Sequence, residues 1–118
     1  YILAVASSSP TDVIEETLNV LDVRDCFQSI TSGREVAEPK PAPDVFLRAM
    51  EKLGVSPQEC LIIEDSTNGG RAAKAAGAKC VWYHNPDSGD QNIPYAELEI
   101  GEWNVENVNK LIQIMKEN

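Results

Sequence analysis

Short apolar runs alternate with helical segments of about ten residues along this chain, and no other feature narrows its fold as much. Ile2–Ala6 is a continuous apolar run, as a strand buried on both faces requires. Ser7-Ser8-Ser9-Pro10 stops it. Ile14, Leu18 and Leu21 then recur at helical spacing to about Asp22, with Ser9 as the expected N-cap and Pro10 at the first helical position. A weaker strand is expected over Phe27–Thr31, ended by Ser32-Gly33, and the polar, proline-rich stretch from Arg34 to Pro43 reads as a loop. Phe46, Ala49, Met50 and Leu53 form one helix face, with Gly54 as its left-handed stop. Ser56–Glu59 reads as a helical turn with its own capping box. Cys60–Ile63 is the clearest strand, and it runs straight into Glu64-Asp65. An alanine-rich helix over Ser66–Ala76 closes at Gly77, and Lys79–Tyr83 is the next strand. His84–Gly101 is mostly loop with a short edge strand at Leu98–Ile100, and Asn104 caps a last helix carrying Val108, Leu111, Ile112 and Met115.

This order defines an α/β chain with an open, mostly parallel sheet covered by helices. In such sheets ligands sit beyond the carboxyl ends of the strands, which singles out Ser7-Ser8-Ser9 and Glu64-Asp65. The 118 residues suffice for one domain. Ten Lys and Arg against nineteen Asp and Glu give a net charge of −9, which argues against a nucleic-acid partner held by phosphate neutralisation. Every apolar stretch falls far short of the ~18 residues of a membrane span, and the opening lacks the basic region of a signal peptide. Cys26, Cys60 and Cys80 are odd in number with no Cys-x-x-Cys spacing, and two of them sit in apolar runs, so buried free thiols in a reducing compartment, the cytoplasm, are expected. Tyr1 stands where a complete chain has Met, and the chain starts inside a core strand. A piece of a longer protein is the resulting expectation.

Three clusters could carry chemistry. Ser7-Ser8-Ser9 offers hydroxyls and free N–H groups to a phosphate, or Ser9 simply caps a helix. Lys40 is a lone cation in the proline-stiffened segment Glu38–Pro43, either a fixed partner for a phosphoryl oxygen or carboxylate, or a solvated turn residue. Glu64 and Asp65 are hard oxygen donors at a sheet's mouth and suit Mg²⁺, unless Asp65 or Ser66 merely caps the next helix. Together the three supply the positioning and neutralisation that phosphoryl transfer needs. The single histidine, His84, reads as a surface loop residue, Gly69-Gly70 as close helix packing, and Trp82 and Trp103 as packing residues.

At this point the chain resembles a family. Leu3–Ser9, Lys40–Phe46 and Ile63–Gly77 are similar to the second, third and fourth motifs of the haloacid dehalogenase-like hydrolases, in the β-phosphoglucomutase and phosphoglycolate phosphatase-like branch. The resemblance covers roughly residues 1–85. It implies a Rossmann-like three-layer sandwich, with Ser7 and the Ser8 backbone on the phosphoryl group. Lys40 would bridge phosphate and nucleophile as the catalytic cation, and Glu64 with Asp65 would serve Mg²⁺. The implied substrate is a small phosphorylated metabolite, turned over through an aspartyl-phosphate by a phosphatase or phosphosugar mutase.

The family's first motif, Asp-x-Asp-Gly, is absent from the sequence, as is the helical cap domain that selects substrate. Residues 1–118 thus resemble the C-terminal portion of the core domain, and the isolated chain is expected to be inactive. The resemblance also places the first-motif strand between the strands at 2–6 and 60–63. Both should then present an unpaired edge, unless the strands move to close the gap or the edge is met by the missing N-terminal segment or by a second chain. A non-catalytic phosphate-binding module remains the alternative. So does a receiver-like signalling module, although its order of groups is acidic pair, hydroxyl, lysine, whereas here it is hydroxyl, lysine, acidic pair.

Overall fold

The computed structural model describes residues 1–117 and follows the alternation of the sequence. The order is β1 (Ala4–Ser7), α1 (Thr11–Val20), β2 (Ser29–Ser32), α2 (Asp44–Leu53), β3 (Leu61–Glu64), α3 (Thr67–Ala76), β4 (Lys79–Tyr83), β5 (Leu98–Ile100) and α4 (Val105–Lys116), with short 3₁₀ turns between some of them. Every strand pair is parallel. β1 pairs with β2, placing Ser7 opposite Ser32, and a separate sheet runs β3-β4-β5, placing Glu64 opposite Trp82.

Alternation along β4 sets the layers. Cys80 and Trp82 join a core with Phe46 and Met50 of α2, Ala72, Ala73 and Ala76 of α3, and Ile93. Val81 and Tyr83 point the other way, into a smaller cluster with Ile100 and Leu111 of α4. The five-strand arrangement therefore lies between helices on two faces, the expected three-layer sandwich. Small residues let α3 approach closely: a Cβ added at Gly70 would lie 2.8 Å from Ile93. Gly54 (φ 67°) and Gly77 (φ 84°) end α2 and α3 in the left-handed conformation that glycine tolerates.

The strand boundaries are shifted towards the carboxyl end relative to the apolar runs. β1 ends on Ser7 rather than Ala6, β2 on Ser32 rather than Thr31, and β3 on Glu64 rather than Ile63. The backbone ladder continues past the last apolar residue because pairing uses N–H and C=O groups, which polar residues also carry. Helix α1 starts at Thr11 with Pro10 as its N-cap, so Ser9 is not the cap. Its N–H instead donates to Ser7 Oγ at 3.2 Å, and its carbonyl accepts from Ser32 Oγ at 2.6 Å. The other expected caps form: Ser66 accepts from the Gly69 N–H, Asn104 from the Asn107 N–H, and Ser56 with Glu59 makes a capping box. All three cysteines are free, but Cys26 is exposed, Cys60 half-buried and only Cys80 buried. Burial, with Glu64 and Glu97 nearby, pushes the Cys80 thiol up to about 11.

β1 and β3 do not pair among the described residues. Between them runs a groove of about 510 Å³, lined by Ile2, Leu3 and Ala6 on one side, Ile62 and Ile63 on the other, and Phe46 below. Helix α2 packs against β1, β2 and α3, and so holds the two sheets in one body. The contrast between core and groove is measurable. Ile93→Ala, at a site 1% exposed, should cost about 2–5 kcal/mol in urea unfolding. Ile63→Ala, at a site 46% exposed, should stay within about 1 kcal/mol.

Candidate functional site

The carboxyl ends of β1, β2 and β3 bring the three sequence clusters together. At the first, the turn Ser7-Ser8-Ser9 is bound to the neighbouring strand end through the Ser32 hydroxyl. Gly33 presses on it from the next turn, where an added Cβ would stand 3.2 Å from Ser8 Cα. Ser8 is exposed and Ser7 half-buried, so the hydroxyls lie at the sheet's rim.

Lys40 is not a solvated turn residue. Its side chain is 13% exposed, and Nζ donates to Glu64 Oε1 at 2.8 Å and to the Ala6 carbonyl at 3.4 Å. The ammonium also stands 4.7 Å from the centre of the Phe46 ring, a favourable place for a desolvated cation. The segment that delivers it is held by Ala42 N–H donating to the Pro39 carbonyl and Glu38 N–H donating to Asp44 Oδ2.

Glu64 and Asp65, though adjacent, are held differently. Glu64 is 11% exposed, and besides Lys40 it accepts from Ser66 Oγ at 3.2 Å. Its carboxylate lies over Gly69, where an added Cβ would fall 1.7 Å from Oε2, so the glycine there makes room for the acid. Asp65 Oδ2 accepts from Ser88 Oγ at 2.6 Å and Asn85 Nδ2 at 2.9 Å. Burial pushes the Asp65 carboxyl up, but hydrogen bonds from Ser88, Asn85 and its own backbone, with the charge of Lys40, outweigh it and hold it below the usual carboxylate range.

Two adjacent carboxylates beside a hydroxyl rim fit a magnesium ion, which takes one or two carboxylates and fills the remaining positions with water and phosphate oxygens. Among the described residues no group of three or more His, Cys, Asp or Glu side chains gathers as a metal cage. His84 lies apart, stacked on Trp82 and 3.0 Å from Glu99, and is exposed as expected. Trp103 is 48% exposed and lies against Tyr83, whereas Trp82 packs on the main core.

Sequence reasoning missed Asn85 and Ser88, because Asn85-Pro86-Asp87-Ser88-Gly89 reads as an ordinary turn and gives no sign of a distant acceptor. It offered a carboxylate as a partner for Lys40 without naming Glu64, which the structure supplies.

A family model described as haloacid dehalogenase-like hydrolase matches residues 1–83. Hexitol phosphatase B of Escherichia coli K12 is 38% identical over 93 residues, which are 79% of this chain and 41% of that protein. The crystal structure of CbbY from Rhodobacter sphaeroides in complex with phosphate superposes with a TM-score of 0.77 at 32% identity, over 84% of this chain and 45% of that one. A β-phosphoglucomutase from Clostridium difficile gives a TM-score of 0.79 at 25% identity, over 99% of this chain and 51% of that one. The chain belongs to the haloacid dehalogenase-like hydrolases, in their phosphatase and phosphoglucomutase-like branch. It spans 41% of the hexitol phosphatase and about half of these solved neighbours.

Two outcomes test this geometry. Lys40→Met leaves Glu64 as an unpaired, nearly buried charge and should cost about 3 kcal/mol, much of it recovered in Lys40→Met with Glu64→Gln. A double-mutant cycle in urea measures that coupling. For Asp65, a lowered native pKa means that its contribution to stability is present above the ordinary carboxylate value of about 3.9 and is lost as pH falls through the native value. Asp65→Asn should therefore lower stability at neutral pH and remove part of its decline in acid, as followed by thermal unfolding between neutral pH and pH ~2.

Proposed function

We propose that this chain supplies the phosphate-binding and metal-binding half of a magnesium-dependent phosphoryl-transfer enzyme, and that the nucleophile comes from outside these residues. The observation that carries the reading is the Lys40 ammonium, set between the carboxyl end of β1 and the Glu64 carboxylate at the carboxyl end of β3. A cation there neutralises an incoming phosphoryl group and a nucleophilic carboxylate together.

In this reading the Ser7 hydroxyl and the Ser8 backbone hold the phosphoryl oxygens, Lys40 bridges phosphate and nucleophile, and Glu64 with Asp65 hold Mg²⁺. The ion, when bound, offsets charge on the transferring group. One aspartate of the Asp-x-Asp pair attacks phosphorus, an acyl-phosphate bond forms, and the bond to the leaving alcohol breaks as the pair's second, acid/base aspartate gives that oxygen its proton. Water then cleaves the aspartyl-phosphate in a phosphatase, or a sugar hydroxyl accepts it in a mutase. The sequence contains no Asp-x-Asp pair, so the isolated chain is expected to be inactive. The groove between β1 and β3 takes the extended segment that brings the aspartate, either the missing N-terminal segment or a second chain.

The substrate in this reading is a small phosphorylated metabolite, of the hexitol-phosphate kind for which hexitol phosphatase B is named. No helix is long and apolar enough to cross a membrane among the described residues, and three free thiols suit a reducing cytoplasm.

The test compares the 118-residue chain alone with the chain preceded by a segment bearing Asp-x-Asp, on a hexitol phosphate with Mg²⁺. Only the completed protein should turn over, and Lys40→Ala should lower its rate by about 10²-fold or more. Equal turnover by the chain alone, or no loss in Lys40→Ala, would contradict the reading.

A further inference from the structure

The loop after β4 reaches back across the sheet's mouth to grip Asp65. Asn85 Nδ2 and Ser88 Oγ both donate to the same oxygen, Oδ2. The two donors are themselves held. Asn85 Oδ1 accepts from the Asp87 N–H at 3.0 Å, and the Asn85 carbonyl accepts from the Ser88 N–H at 3.2 Å. Gln91 then fixes the turn from behind: its Nε2 donates to the Asn85 carbonyl at 2.6 Å, while its Oε1 accepts from Trp82 Nε1 at 2.9 Å. On the far side, the Asn92 N–H donates to Thr67 Oγ1 at 2.9 Å. The loop is thus anchored to β4 through Trp82, which stands opposite Glu64, and to the first turn of α3 through Thr67, two residues after Asp65.

A carboxylate on a two-torsion side chain has two equivalent oxygens and turns freely unless something distinguishes them. Two charge-assisted donors on one oxygen do so, fixing the plane of the group. We infer that Asn85 and Ser88 are positioning residues for Asp65, engaging Oδ2 so that Oδ1 is left to a divalent cation. This rests on the magnesium reading of Asp65 and deepens it. Loss of a partner that orients a metal-binding side chain commonly weakens metal affinity by about 10–100-fold. The 84–92 loop thereby becomes part of the site, although none of its side chains need touch the ion.

The test is a Mn²⁺ titration of the protein, followed by water-proton relaxation, with Mn²⁺ as the probe. Ser88→Val combined with Asn85→Ala should weaken binding by about 10-fold or more. Ser88→Thr keeps the hydroxyl at the same branch point and should stay within about 2-fold of wild type, a difference between Thr and Val that a packing role would not produce. Asn85→Ala alone should also weaken binding, and carries the test if the double variant fails to fold. Unchanged or tighter binding in the Asn85 and Ser88 variants, with binding lost in Asp65→Asn, overturns the positioning role and leaves the metal reading standing. No Mn²⁺ binding by wild type, or equal binding by Asp65→Asn, overturns both.

Discussion

The ion pair between Lys40 and Glu64 ties the structure to its chemistry. Its partners arrive from a proline-stiffened loop and from the end of a strand in the other sheet, and both are nearly buried. Removing two charges from water is unfavourable, and their mutual attraction repays it only when the geometry is good and the remaining lone pairs are satisfied. Those conditions are met here by the Phe46 ring beneath the ammonium, the Ala6 carbonyl, the Ser66 hydroxyl and the room left by Gly69. A pair of this kind contributes little net stability as a whole. It costs much when half of it is lost, and it keeps opposite charges poised where a phosphoryl group can exploit them.

The pair also spans a discontinuity. All strands are parallel, yet the sheet is divided into β1-β2 and β3-β4-β5, with helix α2 packed across the division. The facing edges carry backbone donors and acceptors that a partner strand would satisfy, and exposed strand edges are sites of pairing. Ile2, Leu3 and Ile63, each about half exposed, line the groove with apolar surface that a filled sheet would bury. At the carboxyl ends of the strands, the ion pair of Lys40 with Glu64 runs from the loop after β2 to the end of β3. The chemistry proposed for the site and the incompleteness of the sheet are thus two aspects of one arrangement.

Much of this was legible in the residues, because strand and helix periods, Gly54, Gly77, Ser66 and Asn104 are local signals that act within a few residues. The parallel α/β layout follows from their alternation alone. What escaped was of two kinds. Strand ends moved by one residue, since the ladder ignores whether a side chain is apolar, and the cap of α1 moved to Pro10, while the Ser9 backbone is held by Ser7 and Ser32. The grip of Asn85 and Ser88 on Asp65 joins positions 20 and 23 residues apart through a loop whose composition signals only a turn. Non-local hydrogen bonds of this sort leave no period in the sequence.

The central claim is that β1 and β3 face one another across a groove with unsatisfied edges. Backbone amide hydrogen exchange on the 118-residue chain, resolved by NMR with cross-strand contacts, addresses it most directly. The account predicts that alternate amides of Ala4–Ser7 and of Leu61–Glu64 exchange rapidly while their neighbours are protected, with no contact between the two strands. Protection of every amide in both strands, with direct contacts between β1 and β3, would show a closed sheet and contradict it.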